Sequence, residues 1–544
     1  MEPRRPPPDN MVAALEDVNL YASDPALRRC VTAVAADADA ELTSQGAVLG
    51  SARTLQLADD ANRHPPELRT HARTGERIDR VDFHPAWHEL MALARRHGLA
   101  NRPYADPRPS AWTVYATSLY LHSQVEAGTM CPTSMTQASI GVLAREPALF
   151  EALRPRLLST EHDPRDLPLE AKASVAIGMG MTERQGGSDV RSNRTRAQPA
   201  GGGGGSWRLR GHKWFFSAPM CDAHLVLAQT DAGPTCFFVP RWRPDGTRNA
   251  VHIQRLKDKV GNRSNASAEV EFDDAWGLRV GAAGRGIPTI LEMAGASRLN
   301  CALASAGFLR QAFTQALHYA RHRVAFGRTL IEQPLMARLL ADLGLEAEAA
   351  MRLALTLAGC FGPSADPLAP AMRRVLVPVA KFWICKRAVE ASAEAMEVFG
   401  GNGYVEEAPM GRLFREAPVN SIWEGSGNVI CLDLLRAIAR TPDDALRLLD
   451  RYAALARAEP RLAEAVETLR TAVRRPPEEQ EPEARRIAAG WAKVAQACAM
   501  LEQAEPAAAE AFVASRFDPD WGAVLGISCG TAEARRLLDG MWRD

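Results

Sequence analysis

Apolar residues change their spacing twice along this chain. In AWHELMALARRHGLA (86–100) and TVYATSLYLHSQVEAG (113–128) they recur at i, i+3, i+4 and i+7, the period of a helix with one buried face. Proline clusters at 6–8, 65–66 and 103–109 break these segments as loops. From about residue 172 the runs become short and β-like: ASVAIGM, WRLRGHKWFFS, AHLVLAQT, TCFFVPR and AEVEFDDAW, divided by turn residues. The glycine run 201–205 lies between two of them. Without a following Lys-Ser/Thr or helix it reads as a mobile hairpin loop, not a phosphate cradle. After about 285 the helical period returns, in a long Ala/Leu-rich segment, then at 333–360 and 370–399, with another helix from about Val429. The predicted order is an N-terminal helical domain (1–171), a middle β-domain (172–280), a helical bundle (281–440) and a helical extension (441–544) broken by a solvated loop at 474–483.

Composition narrows the function classes. At 544 residues, 46% hydrophobic and 24% charged, the chain reads as an ordinary globular protein with a large core. Lys+Arg and Asp+Glu both total 65, so no protein-wide positive field draws in polyanions, and a nucleic-acid surface must be local. Ten scattered cysteines, none in a CxxC pair, argue against a zinc ribbon and for a reducing compartment. The N-terminus has no apolar signal segment and no stretch suits a membrane span, so the expectation is a cytoplasmic protein with no membrane partner. The pairs His84/His88 and His318/His322 have i, i+4 spacing but lack HExxH or an evident third ligand, so no metal is expected.

Five stretches carry candidate chemistry. MTERQGGSDV (181–190) pairs polar groups with glycines whose N–H groups can face a phosphate or ring carbonyl, and GHKWFFSA (211–218) supplies aromatics for a flat cofactor. RHRVAFG (321–327) offers a guanidinium fork and a Phe; EVFGGNGY (397–404) allows close backbone approach; IWEGSGN (422–428) sets a carboxylate beside Trp423. Each alone has an ordinary reading as a turn or surface group. In this order they resemble the signatures of the acyl-CoA dehydrogenase family over roughly 110–440. KDKVGNRSNASAEVEF (257–272), REAPVNSIWEGSGNVICLDLLRA (415–437) and the N-terminal NRHPPELRTHARTGERIDRVDFHPAWHELM are similar to its AidB branch, tied to the adaptive response to DNA alkylation.

The resemblance implies a mostly α fold with a central β-domain, FAD as cofactor, and Glu424 as the base that takes a thioester α-proton. It implies flavin contacts from Met181, Thr182, Gly187, Ser188, Phe215, Phe216 and Ser217, and a loop over the flavin formed by Trp423, Gly425, Ser426 and Asn428. Arg323, Phe326, Gln333, Gly400 and Gly401 match the group holding the ADP half of a neighbouring subunit's FAD, which requires an oligomer, in this family a homotetramer built as a dimer of dimers. Glu397 stands where the family usually has Gln, and its carboxylate would repel a pyrophosphate unless Arg323 or another cation compensates. The extension carries 14 Lys/Arg against 18 Asp/Glu, so its bulk charge does not nominate a DNA surface; Arg436 and Arg516 are phosphate contacts by resemblance, with a solvated or ion-paired reading equally open. Three functions stay open: a duplex-DNA-binding responder to alkylation with at most modest dehydrogenase activity, a working dehydrogenase of short or branched acyl-CoA, and a structural tetramer stabilised by FAD.

Overall fold

The computed structural model describes residues 10–201, 205–519, 521–522, 525 and 530–541; glycines 202–204 of the expected loop and Cys529 lie outside them. The chain forms two compact units. One, mostly sheet, comprises Arg53–Ala111 and Glu126–Ser297; the other, helical, comprises the described residues of Met1–Ala52, Trp112–Val125 and Arg298–Asp544. The N-terminal helical stretch thus contributes to both.

Among the described residues the sheet unit holds a seven-stranded sheet in which five strands pair in a closed circuit. Ser206–Ser217 runs antiparallel to Ser267–Val280, which pairs with Gly233–Pro240; that strand pairs with Ala223–Thr230, and Arg196–Pro199 returns the ladder to Ser206–Ser217. Closure removes the unpaired edges of the circuit. Leu209, Phe216, Val226, Phe237, Val270 and Phe272 fill its core, each worth about 1.5–3 kcal/mol of burial. A hairpin of Glu67–His71 and Arg77–Asp82 interrupts the helical stretch before it. Its polar, arginine-rich sequence carries little apolar periodicity. Leu68 and Val81, opposite one another in the register, dock on the sheet core and supply the missing reason for strand structure.

The sheet unit also holds imidazoles away from solvent, His224 fully and His88 and His162 in part. His88 Nδ1 lies 3.0 Å from His162 Nε2, and His224 stacks on Phe216 with ring centroids 4.0 Å apart. Burial depresses His88 and takes His162 and His224 from the ordinary 6.5 to about 3, His88 adding to the effect on His162. The unfolded chain therefore binds more protons than the folded one between about pH 6.5 and 3, and folding weakens as pH falls through that window. We expect urea-unfolding stability to drop by roughly 3 kcal/mol or more from pH 7 to 4.5; a flat profile would contradict neutral burial.

In the helical unit Gly286–His322 (from Arg298 on), Pro334–Gly359, Ala369–Val398 and Gly427–Arg440 form the expected bundle, with Met410–Asn420 inserted before the last. The tail helix Ala484–Gln503 packs on Pro334–Gly359 and Ala369–Val398 through a face that includes the fully buried Trp491. The expected loop at 474–483 instead contains a helical turn, Pro477–Gln480; Gln480 is buried and donates to the carbonyls of Val473 and Arg475. Its proline at the first helical position needs no N–H partner, so the turn forms where composition suggested coil.

Candidate active site

Glu424 lies on the turn between Met410–Asn420 and Gly427–Arg440. Its φ of 57° and the 111° of Gly425 put two successive residues in the left-handed region, easy for the glycine and costly for the glutamate. Two cations hold this turn. Arg298 Nε donates to the Glu424 carbonyl at 3.1 Å, and Lys381 Nζ donates to the Gly425 carbonyl. Arg298 is itself fixed by Asp433, 2.7 Å from its Nη1, which Arg374 also contacts at 3.2 Å. Trp423 Nε1 donates to Asn420 Oδ1 at 3.0 Å, and Asn420 Nδ2 to Ser305 Oγ at 3.0 Å, so the indole is pinned as well. Burial raises the Glu424 carboxyl above its usual 4.5, with Arg298 and Lys381 opposing the rise. A carboxylate tuned upward on a braced turn suits proton abstraction.

Neither Arg298, Lys381 nor Asp433 stood out in the sequence. Lys381 left one signal: a lone cation inside the apolar stretch VLVPVAKFWIC. Such a lysine must find an acceptor when its helix is buried.

Each unit carries one set of the predicted cofactor residues. In the sheet unit the Met181 carbonyl accepts from Asn193 Nδ2 at 2.8 Å and the Thr182 carbonyl from the Trp214 N–H at 2.8 Å, tying the GGSD segment to the aromatic strand. A Cβ on Gly187 would sit 2.7 Å from Thr182 Oγ1. Gly187 and Ser188 are exposed, and Phe215 is 51% exposed. Phe216 is corrected: it is 1% exposed and stacks on His224 inside the sheet core. The ladder shifts register between Lys213 and Phe216, and past that irregularity Phe216 turns into the core while Phe215 is exposed and Ser217 half-buried. Behind this segment lies a pair that sequence reading missed, Lys213 Nζ at 2.7 Å from Glu183 Oε1 with both side chains fully buried. Burial draws the lysine down to about 8. Burial also works to raise Glu183, but Lys213 and the Arg194 N–H outweigh it and hold the carboxylate at about 2.

In the helical unit a two-residue turn joins Val324–Ala325 to Arg328–Thr329 and presents Phe326 at 97% exposure with φ of 52°. Arg323 precedes it, and Gln333 Nε2 donates back to the Ala325 carbonyl at 3.2 Å. Gly400 and Gly401 form a turn after Ala369–Val398, and a Cβ at either would meet nothing within 4 Å. Glu397 is exposed one turn before them. Ser426 is exposed, and Asn428 Oδ1 accepts from Arg485 Nη1 at 2.8 Å. The exposed ring of Phe326, the half-exposed ring of Phe215 with Lys257 Nζ 4.9 Å from its centroid, and the open glycine backbones are groups of the kind that suit a flat, phosphate-bearing cofactor.

The two candidate DNA contacts part company. Arg436 is exposed on Gly427–Arg440. Arg516 is corrected: 1% exposed, it bonds Asp342 and Glu346, the latter at 3.1 Å, with its guanidinium 5.1 Å from the Trp521 ring centroid. Two carboxylates already consume the charge a phosphate would need. The histidine pairs also have local roles: His318 bonds the Ala13 carbonyl and His322 the His318 carbonyl.

Residues 10–164 match the adaptive response protein AidB N-terminal domain, 178–275 the acyl-CoA dehydrogenase middle domain, and 284–439 the acyl-CoA dehydrogenase C-terminal domain. The chain is 50% identical to the AidB protein of Escherichia coli (strain K12), over 79% of this chain and 80% of that protein. Among solved structures it is similar to the Bd2924 apo-form (29% identity, TM-score 0.83, 91% of this chain and 100% of that one). It is also similar to Caenorhabditis elegans ACDH-11 in complex with C11-CoA (25% identity, TM-score 0.83, 98% and 93%).

Proposed function

Because this chain belongs to the acyl-CoA dehydrogenase family of FAD-dependent oxidoreductases, and to its AidB type, we propose that it retains dehydrogenase chemistry on short or branched acyl-CoA, with Glu424 as base. The observation that carries this reading is the braced turn that holds an up-shifted Glu424 carboxyl. FAD, when bound, supplies the two-electron acceptor for the hydride that leaves the β-carbon. Glu424 takes the α-proton onto its carboxylate, while Arg298 and Lys381 fix the turn and oppose the rise that burial imposes on the carboxyl. Met181, Thr182, Gly187, Ser188, Phe215 and Ser217 of the sheet unit would hold the flavin half. In the helical unit that role falls to Trp423, Gly425, Ser426 and Asn428, and Arg323, Phe326, Gln333, Gly400 and Gly401 would hold the ADP half. The exposed Phe326, Leu335, Tyr404 and Ile422 support a homotetrameric assembly that covers them. Anaerobic mixing with isovaleryl-CoA tests the reading: bleaching of the flavin band is expected, and an unchanged spectrum would refute it.

A second reading, duplex-DNA binding in the response to alkylation, is supported by the exposed Arg436 and by the exposed Arg440, Arg474, Arg475 and Arg485 on the same unit. Their contacts would be to phosphates, with little base selectivity. Gel retardation should weaken steeply with salt, and Arg436→Ala should reduce the log–log salt slope by about 1. No retardation at low salt would end this reading.

A further inference from the structure

The Arg323–Phe326 hairpin is not held by its own strands alone. Each of its strands is two residues long, far too short to be stable by itself. The segment near the chain's start lies along it. Asn10 Oδ1 accepts from the Val324 N–H at 2.8 Å while Asn10 Nδ2 donates to the Val324 carbonyl at 2.8 Å, so one side-chain amide imitates a neighbouring strand. Arg323 Nη1 donates to the Asn10 carbonyl. Three residues on, the Ala13 carbonyl accepts from His318 Nε2 at 2.9 Å, continuing the contact along the end of the long helix. Asn10 has φ of 60°, a conformation that asparagine tolerates better than other side-chain-bearing residues, and it turns both its amide and its carbonyl to the hairpin.

We propose that Asn10 is a positioning residue for the FAD site: its amide sets the hairpin and its carbonyl occupies one guanidinium N–H of Arg323, leaving the rest of the fork directed for pyrophosphate. The inference rests on the proposed role of Arg323 and Phe326 toward the ADP half. A free arginine on a two-residue hairpin would sample many rotamers, and ordering it at the moment of binding would cost affinity. Asn10 makes that arrangement before the cofactor arrives.

The test is FAD titration of the full-length apo-protein, read by quenching of flavin fluorescence, beside its thermal unfolding. Asn10→Gly removes the amide without backbone strain and should weaken FAD binding by about three- to tenfold, the order expected for two exposed hydrogen bonds. Asn10→Asp, which still accepts from Val324, should fall between. In a background carrying Arg323→Ala and Phe326→Ala, Asn10→Gly should change affinity less than twofold; its full effect surviving there would mean a merely structural role and overturn the inference. If Arg323→Ala and Phe326→Ala themselves leave FAD binding unchanged, the reading of the ADP site fails. If they weaken it and Asn10→Gly does not, only the role of Asn10 falls.

Discussion

Glu424→Gln should slow anaerobic flavin reduction by isovaleryl-CoA by about 10²–10⁴-fold while FAD stays bound, the range that a positioned general base contributes. The amide keeps the size of the side chain and the left-handed turn but cannot accept the α-proton. The turn is braced through backbone carbonyls, those of Glu424 and Gly425, so the substitution leaves the Arg298 and Lys381 contacts in place. Loss of activity with an intact flavin spectrum would therefore report chemistry and not collapse. Residual activity within threefold of the parent would remove Glu424 from the role. The pH profile adds a signed check. Burial raises the Glu424 carboxyl and the two cations oppose that rise, so Lys381→Met or Arg298→Gln should move it higher still, and the rate should reach its plateau at higher pH than in the parent. A profile displaced to lower pH would contradict the electrostatic assignment.

Arg516→Ala should cost about 3–5 kcal/mol of stability by urea unfolding, because it removes the cation that bridges two buried carboxylates. Asp342 and Glu346 are nearly inaccessible, and Arg516 is the cation between them; Arg387, 3.2 Å from Glu346 Oε2, relieves one of the two. The substitution also strips the guanidinium from the rings of Phe512 and Trp521, each centroid 5.1 Å away. Arg436→Ala, at an exposed position, should change stability by less than about 0.5 kcal/mol. The contrast matters for any DNA experiment: reduced retardation by Arg516→Ala would report an unfolded fraction, whereas reduced retardation by a stably folded Arg436→Ala would report a lost contact. A loss below 1 kcal/mol for Arg516→Ala would show that the buried network relaxes or admits water.

Much of this protein was legible in its residues alone. Apolar period marked the long helices to within a residue or two, since 370–399 was expected and Ala369–Val398 is found. The order of glycine-rich and aromatic motifs pointed to the family, and IWEGSGN to the place of the base. These are local properties, written in spacing and in which residues tolerate a turn. Tertiary structure decided what each polar side chain meets. Phe215 and Phe216 are adjacent aromatics in sequence, and only the paired strand, past its register shift, sends one to the surface and the other against His224. Arg436, on the last bundle helix, and Arg516, on the helical tail, look alike as helical arginines; Asp342, 174 residues from Arg516, makes that one a buried ion-pair partner, while Arg436 stays exposed. Lys381, Arg298 and Asn10 reach their acceptors across 44, 126 and 314 residues, distances over which a single sequence carries no pairing signal. Burial is a property of the folded assembly of elements, and so the charge state of Glu424, which depends on it, could be expected from the chain but was set only by the fold.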